Sequence, residues 1–506
     1  MAATTASDMA QVQTCPAINP LSMPTEVLDG IATLLPRSAL RAFALTSKRT
    51  YNSAVDLLYK TYLNRTAPAK APFYLFLRTL CERPNLAARV KRVDIRGWRS
   101  EYEVATGAAW RGLREDRPTD HVERNGPSFS STEKAVRESS TDRSKLFIGA
   151  AVKAGVIAKP ASLLAPALKS SIVWYTTLRN DDDFMRLLVR SVEDAHVVLM
   201  LALLPNLKDF FVDGLSPFPL LDWYTFLSRS TTMPLRRLSW FRIRGSINTM
   251  SEPVVKSSLQ VLDMMPNLQK LHMFEMAIGD HTLASHRTLP SRKLKTIVFR
   301  HCGVDIRFLR KLLDGQQLHD FGYMPDCIHS DEITGGYLSL NDILMPLASS
   351  KTTLEKLVMF PWTPNDPSFL SKFEKLEELE IPQPGVLNIP GDELDPEVIK
   401  TLLLTQIPPT MARLYLRCLS YSQQTKIILE QLVRLKEEGF LRVLQDVRLN
   451  FFRYLSPLGP VVIGILGAFI PETVVVRLEP RIMADFGKMF EGAGITLKVY
   501  QSEAHL

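Results

Sequence analysis

The chain has few of the features that mark secreted, membrane-bound or metal-binding proteins. Its five cysteines, Cys15, Cys81, Cys302, Cys327 and Cys418, are odd in number, far apart and never spaced as C-x-x-C. This argues against a disulfide framework or a zinc site and favours a reducing compartment, cytoplasmic or nuclear. No Lys or Arg precedes Arg37, so neither the basic start of a secretory signal nor an Arg-rich transit segment is expected. The longest apolar run, LGPVVIGILGAFIP at 458–471, is too short to cross a bilayer and is broken by Gly and Pro. No membrane partner is expected. Unbalanced charge is scarce too: 61 Lys and Arg against 53 Asp and Glu leave +8 on 506 residues. That excess tolerates an acidic partner but does not call for nucleic acid.

Catalytic signatures are also missing. No G-x-G-x-x-G, P-loop, G-x-S-x-G or H-E-x-x-H occurs. Asp181-Asp182-Asp183 precedes FMRLLVR and reads as a helix start. His281 and His286 are five apart, the wrong spacing for two ligands on one helix face, and Cys302 falls where a structural side chain is expected. No metal, no cofactor and no enzymatic activity are predicted.

What the chain does have is ordinary globular composition, 46% hydrophobic and 23% charged, arranged with a rhythm. The frame apolar-x-x-apolar-x-apolar occurs at Val90-Val93-Ile95, Leu207-Phe210-Val212, Leu235-Leu238-Trp240, Leu268-Leu271-Met273 and Leu294-Ile297-Phe299. It returns at Leu318-Phe321-Tyr323, Leu354-Leu357-Met359, Leu376-Leu379-Ile381, Met411-Leu414-Leu416 and Leu444-Val447-Leu449. From Leu207 the starts are 28, 33, 26, 24, 36, 22, 35 and 33 residues apart. Alternating apolar residues predict a short strand. Helical stretches lie between them, such as DIRFLRKLLDGQQ (305–317) and YSQQTKIILEQLVRLKEEG (421–439).

One strand and one helix per unit is the leucine-rich-repeat pattern, in a divergent form with only Cys302 at the position of the usual Asn or Cys. The predicted fold class is α/β: a small helical N-terminal domain, then an irregular solenoid with parallel strands on a concave face and helices outside. The expected division is a disordered tail (1–18), a helical domain (19–66), a helical linker with the first repeat (67–96), a disordered insertion (97–145) and the repeats (146–506).

The N-terminal domain reads as three helices. Pro24 suits a first helical position, and Val27, Leu28, Ile31, Leu34 and Leu35 form an apolar stripe. Ser38 is positioned to cap a second helix, and Ser47 a third bearing Tyr51, Ala54, Val55, Leu58 and Tyr59. Three helices this short are marginal alone and suit one half of an interface. Met23-Pro24-Thr25-Glu26-Val27-Leu28, then Ile31, Leu34, Leu40, Leu45 and Ser47-Lys48-Arg49-Thr50-Tyr51, resembles the F-box motif. With the repeats, the whole chain is similar in plan to F-box/leucine-rich-repeat proteins.

That resemblance implies a Skp-type adaptor as partner, through it a cullin, and the role of substrate receptor in an SCF-type ubiquitin ligase. The alternative is a scaffold that does not deliver ubiquitin. Pro24, Val27, Leu28, Ile31, Leu34, Leu40, Leu45 and Tyr51 are the implied adaptor-binding residues. Pro24, Leu28, Ile31 and Leu40 rank first among them.

In a repeat strand, the residues between core positions point to the concave face. Phe211, Phe241, His272, Phe274, Arg300, Phe360, Tyr415 and Arg417, with Val298 and Arg448, are the predicted substrate-binding residues. Glu378 and Glu380 form an acidic exception. Aromatics beside arginines are typical interface anchors, and the expected occupant is an acidic or phosphorylated protein segment.

Overall fold

The structure, a computed structural model, describes residues 23–64, 73–96, 144–158, 179–189, 192–213, 221–245, 261–278, 293–324, 340–359, 367–382, 395–418, 423–454 and 480–504. The predicted tail (1–18) and residues 97–143 of the predicted insertion lie outside these ranges. Residues 144–153 are helical, and this helix starts two residues before the predicted boundary at 146.

Three helices open the fold: α1 (Thr25–Leu34), α2 (Arg37–Ala44) and α3 (Lys48–Lys60). Ser47 caps α3 as predicted, and its hydroxyl and that of Thr50 form a reciprocal capping box. Ser38 does not cap α2; that position falls to Pro36, whose ring carries no hydrogen-bonding group, and Ser38 lies within the first turn. Pro24 likewise sits at the cap of α1 rather than at its first helical residue. Ala32, Leu40, Ala44 and Ala54 form a small core of their own.

The chain passes from α3 straight into a strand. Strands β1 (Thr61–Asn64), β2 (Arg92–Arg96), β3 (Asp209–Asp213), β4 (Trp240–Arg244), β5 (Lys270–Phe274) and the short β6 (Ala277–Ile278) come first. They are followed by β7 (Thr296–Arg300), the short β8 (Gly303–Val304), β9 (Asp320–Met324) and β10 (Lys356–Met359). The series closes with β11 (Glu378–Pro382), β12 (Arg413–Cys418), β13 (Asp446–Tyr454) and β14 (Thr496–Ala504). All but β6 and β8 join one 12-stranded sheet in sequence order, and every pairing is parallel. β6 and β8 pair separately.

Register is fixed at the strand entries by a repeated device. The carbonyl of Lys91 accepts from the amides of Lys208 and Asp209 at 2.8 and 3.0 Å. Lys208 does the same for Ser239 and Trp240, Ser239 for Gln269 and Lys270, and Gln269 for Lys295 and Thr296. Each unit thereby sets the phase of the next.

Alternate strand residues enter one continuous apolar core. Val93, Phe210, Leu271, Ile297, Phe321, Leu357, Leu379, Leu414 and Val447 are all 0–1% exposed. Helices cover this face. The one at Glu193–Leu203 is buried along nearly its whole length, and the one at Ile306–Leu313 is capped by the Asp305 side chain.

Three expectations are corrected here. In the fourth strand the true frame is Leu238-Phe241-Ile243: Phe241 is fully buried in the core, while Trp240 and Arg242 face the other way. Two frames overlap in that stretch, and the core takes the one that makes the neighbouring intervals 31 and 30 residues (207 to 238, 238 to 268). The sheet begins at Thr61, inside the segment predicted to be wholly helical, because β1 pairs with β2 from Thr61↔Arg92 to Asn64↔Ile95. It also extends by β14, which has Gly494 where the frame needs an apolar side chain.

Candidate interaction surfaces

Helix α1 presents two stripes. Leu28 and Ala32 are buried and Leu35 packs on the small core, all on one side. Val27, Ile31 and Leu34 follow the same i, i+4, i+7 spacing one residue earlier on the helix. Val27 is 46% and Leu34 85% exposed, as is Leu45 after α2 at 80%. Ile31 and Tyr51 are half-buried, and Pro24 is exposed. Leu28 (0%) and Leu40 (5%), ranked among the first adaptor-facing residues from the sequence, are interior instead. Leu40 belongs to the small core shared by the three helices.

The second surface is the sheet face opposite the core, where in-register residues form rows across the strands. The first row runs Arg92, Asp209, Trp240, Lys270, Thr296, Asp320, Lys356, Glu378, Arg413, Asp446. Its four basic and four acidic side chains largely alternate, so it neutralises itself. Glu378 lies between Lys356 and Arg413, the latter at 3.0 Å. Asp446 takes Arg448 at 2.7 Å and Lys498 at 3.7 Å. Thr296 donates to Asp320 at 2.9 Å. Arg448 also lies 4.7 Å from the centre of the Tyr415 ring.

The second and third rows differ between β4 and β7. Arg242, His272 and Val298 stand abreast, followed by Arg244, Phe274 and Arg300. The guanidinium of Arg242 lies 4.6 Å and that of Arg300 5.9 Å from the centre of the Phe274 ring. Lys270 lies 5.4 Å from the Trp240 ring, whose edge meets Phe211 at 4.6 Å and His272 at 5.5 Å. Arg92 lies 4.4 Å from the Phe211 ring. Burial first, then Arg242, Arg300 and Lys270, lowers the pKa of His272 to about 4. At neutral pH the positive charge here comes from arginine and lysine.

Of the residues predicted for this face, His272, Phe274 and Arg300 come together as one patch. Phe211 is on the same face but nearly covered, at 5% exposure. Tyr415 and Arg448 sit several strands away in the charge-paired region. Arg417 occupies β12 in register with Pro382 and Asn450, and Phe360 lies outside the described residues. Trp240, Arg242, Arg244 and Lys270 are missed by the sequence reading. In β4 the displaced frame put Phe241 in place of Trp240, Arg242 and Arg244, and the evenness of the 31- and 30-residue intervals is the signal that recovers those three; Lys270 lies in β5, whose frame is in phase.

Of the remaining sequence candidates, His281 and His286 lie outside the described residues. Asp181 begins the helix Asp181–Val189 and accepts from the Ala158 amide at 2.8 Å. Cys302 is fully buried at the end of its repeat strand. Among the described residues, no group of three His, Cys, Asp or Glu side chains is placed to hold a metal ion. No helix among them is long and apolar enough to cross a membrane. Neither the family models nor the curated proteins compared with the chain give a match.

Proposed function

We propose that this chain is a non-catalytic substrate-recognition subunit of an SCF-type ubiquitin ligase, built as an F-box followed by leucine-rich repeats and working in the cytoplasm or nucleus. In this reading α1–α3 dock a Skp-type adaptor and through it a cullin. The open sheet face holds an acidic or phosphorylated segment of a protein substrate. Catalysis belongs to other subunits, and this one contributes proximity.

One observation carries the reading: an outward apolar stripe sits on a helical unit fused to the sheet. Helix α3 ends at Lys60 and β1 begins at Thr61. Arg37 donates to the Thr61 carbonyl at 3.1 Å, and Asp56 pairs with Arg89. A partner gripping Val27, Ile31 and Leu34 would therefore hold the sheet in a defined position. Exposed aliphatic groups of this kind contribute about 1.5–3 kcal/mol each when fully covered, enough to support a complex after association costs.

The test is co-purification from cells of the tagged full chain with a Skp-type adaptor and a cullin. Val27→Glu with Leu34→Glu alters the outward stripe while leaving Leu28 and Leu40 in place. Loss of both partners with unchanged thermal unfolding is the expected result. Retention of the adaptor by that variant would show the docking assignment to be wrong. Adaptor without cullin would point to the scaffold.

A further inference from the structure

The residues that lead into the strands form a row of their own, and its first half is basic. At each entry the carbonyl of one unit accepts from the amide of the next, which sets Lys60, Lys91, Lys208, Ser239, Gln269 and Lys295 abreast. All but Ser239 are exposed, and none is a carboxylate. Arg236 and Arg237 before the β4 entry and Lys293 before the β7 entry are exposed as well.

Among the described residues, none of these lysines and arginines forms an ion pair. Arg237 donates to Asn206 and Lys293 to Asn267, both neutral, and Arg236 to the Met233 sulfur at 3.8 Å. The acids nearby are engaged by other groups. Asp56 pairs with Arg89, and Asp320 accepts from Thr296. Asp209 feels Arg92, Lys208 and Lys270 together, one carboxylate for three cations. Asp263 is half-buried and engaged elsewhere.

The contrast with the next row is informative. One residue into the strands, basic and acidic side chains largely alternate and neutralise one another. In the entry row Lys60, Lys91 and Lys208 occupy adjacent strands, and like charges abreast repel. An exposed row that repels itself suits an anion laid across it. Further along, the row turns to His319, Glu355 and Glu377, with His319 paired to Glu355 at 3.0 Å. A long uniform anion such as a nucleic-acid duplex or a bilayer would run on to these carboxylates. No aromatic ring stands in the basic half, so single-stranded bases have nothing there to stack on.

We infer that the strand-entry row from Lys60 to Lys295 is a track for an extended acidic segment of a partner protein, running across the strands. Five strand spacings of about 4.8 Å make it about 24 Å long, the reach of about seven extended residues. The track is distinct from the open sheet face and from the outward stripe of α1, and needs neither assignment to hold.

The experiment measures fluorescence anisotropy of the full chain with labelled peptides carrying a run of about seven Glu or the same run of Gln. Wild type should bind the Glu peptide, less tightly as salt rises, and should not bind the Gln peptide. Lys91→Glu should weaken Glu-peptide binding roughly fivefold, the scale of exposed ion pairs. The same variant should unfold at a higher urea concentration, because its carboxylate sits between Lys60 and Lys208. Opposite signs for binding and stability are the mark of a row kept for a ligand.

Lys91→Glu with Lys208→Glu should abolish binding. Lys426→Glu with Lys488→Glu changes net charge equally on exposed helix positions before β13 and β14, and should leave binding nearly unchanged. Equal losses in the two double variants would reduce the effect to net charge and overturn the track. So would Glu-peptide binding that Lys91→Glu does not weaken, a lower urea midpoint for that variant, or a wild type that binds both peptides alike. Tighter binding of an RNA duplex or of phosphatidylserine vesicles than of the Glu peptide, lost with Lys91→Glu and Lys208→Glu, would overturn the protein occupant.

Discussion

Asn267 donates its side-chain amide to the Arg236 carbonyl at 2.8 Å and accepts from Lys293 Nζ at 2.8 Å. Two units earlier Asn206 does the same, donating to Ala88 at 2.7 Å and accepting from Arg237 at 2.5 Å. Each asparagine ties its own unit backward to the preceding one and forward to the next. Both occur in a Pro-Asn-Leu lead-in, before the strand rather than after it. Asn206→Ala and Asn267→Ala should each lower stability by about 1–2 kcal/mol. Asn267→Asp keeps the acceptor for Lys293 and should lose less. Urea unfolding checks this, and equal stability of all three with wild type would mean these ties carry no weight.

Phe241 and Phe274 lie on neighbouring strands but on opposite faces. Phe241 is fully buried, stacked 5.8 Å from Phe210. Phe274 is half-exposed beneath two arginines. Phe241→Ala should cost about 3–5 kcal/mol as a core truncation, and Phe274→Ala well under half of that. A larger loss at Phe274 in chemical denaturation would reverse the assignment of faces.

The ease of reading the sheet and the difficulty of reading its surface share a physical origin. Nine of the ten repeat frames fall in phase because a strand with one buried face must alternate. Around Leu235, Leu238, Trp240, Phe241 and Ile243 large apolar residues occupy both parities, so alternation does not set the phase and Phe241 is misplaced. Gly494 hides β14 for a different reason: it is an exposed left-handed residue at φ 69°, and the buried apolar residue is Ile495, one place later than the frame requires.

His272, Phe274 and Arg300 could be assigned to one patch because their frames were correct. The Arg244–Glu275 pair could not, because it depends on a left-handed turn that local sequence does not announce. The ladder from Lys356 through Glu378 to Arg413 likewise exists only once three strands are in register.

Gly322 stands in β9 without a backbone reason for glycine. Its φ is outside the left-handed region, and an added Cβ would meet Val298 at 3.5 Å, ordinary contact. Glycine inside a strand lowers stability by roughly 0.5–1 kcal/mol relative to alanine. Gly322→Ala should therefore raise stability by about that amount, read as a higher urea midpoint at unchanged slope. A lower midpoint would mean that the Val298 side of the site is tighter than its geometry indicates.

Asp194 governs the expected pH dependence of stability. Its carboxylate is 1% exposed and accepts from the Leu221 amide at 2.6 Å and the Trp223 indole at 3.1 Å. Burial raises its pKa from 3.8 to about 7, and the two hydrogen bonds only partly oppose the shift. Between these values the folded chain binds a proton that the unfolded chain has released, so stability falls as pH rises from about 4 to about 7 and then levels off. Asp194→Asn cannot ionise and should flatten this part of the profile.

The same variant sets an amide NH₂ against one of the two donors and so loses a bond. It should be less stable than wild type near pH 5 and close to it, or above it, near pH 8. His272 acts in the opposite direction: its pKa of about 4, against 6.5 unfolded, removes stability as pH falls from about 6.5 to about 4. Urea unfolding of wild type, Asp194→Asn and His272→Gln at pH 5 and pH 8 separates the two. A wild-type decline toward alkaline pH that persists unchanged in Asp194→Asn would remove this carboxylate as its source.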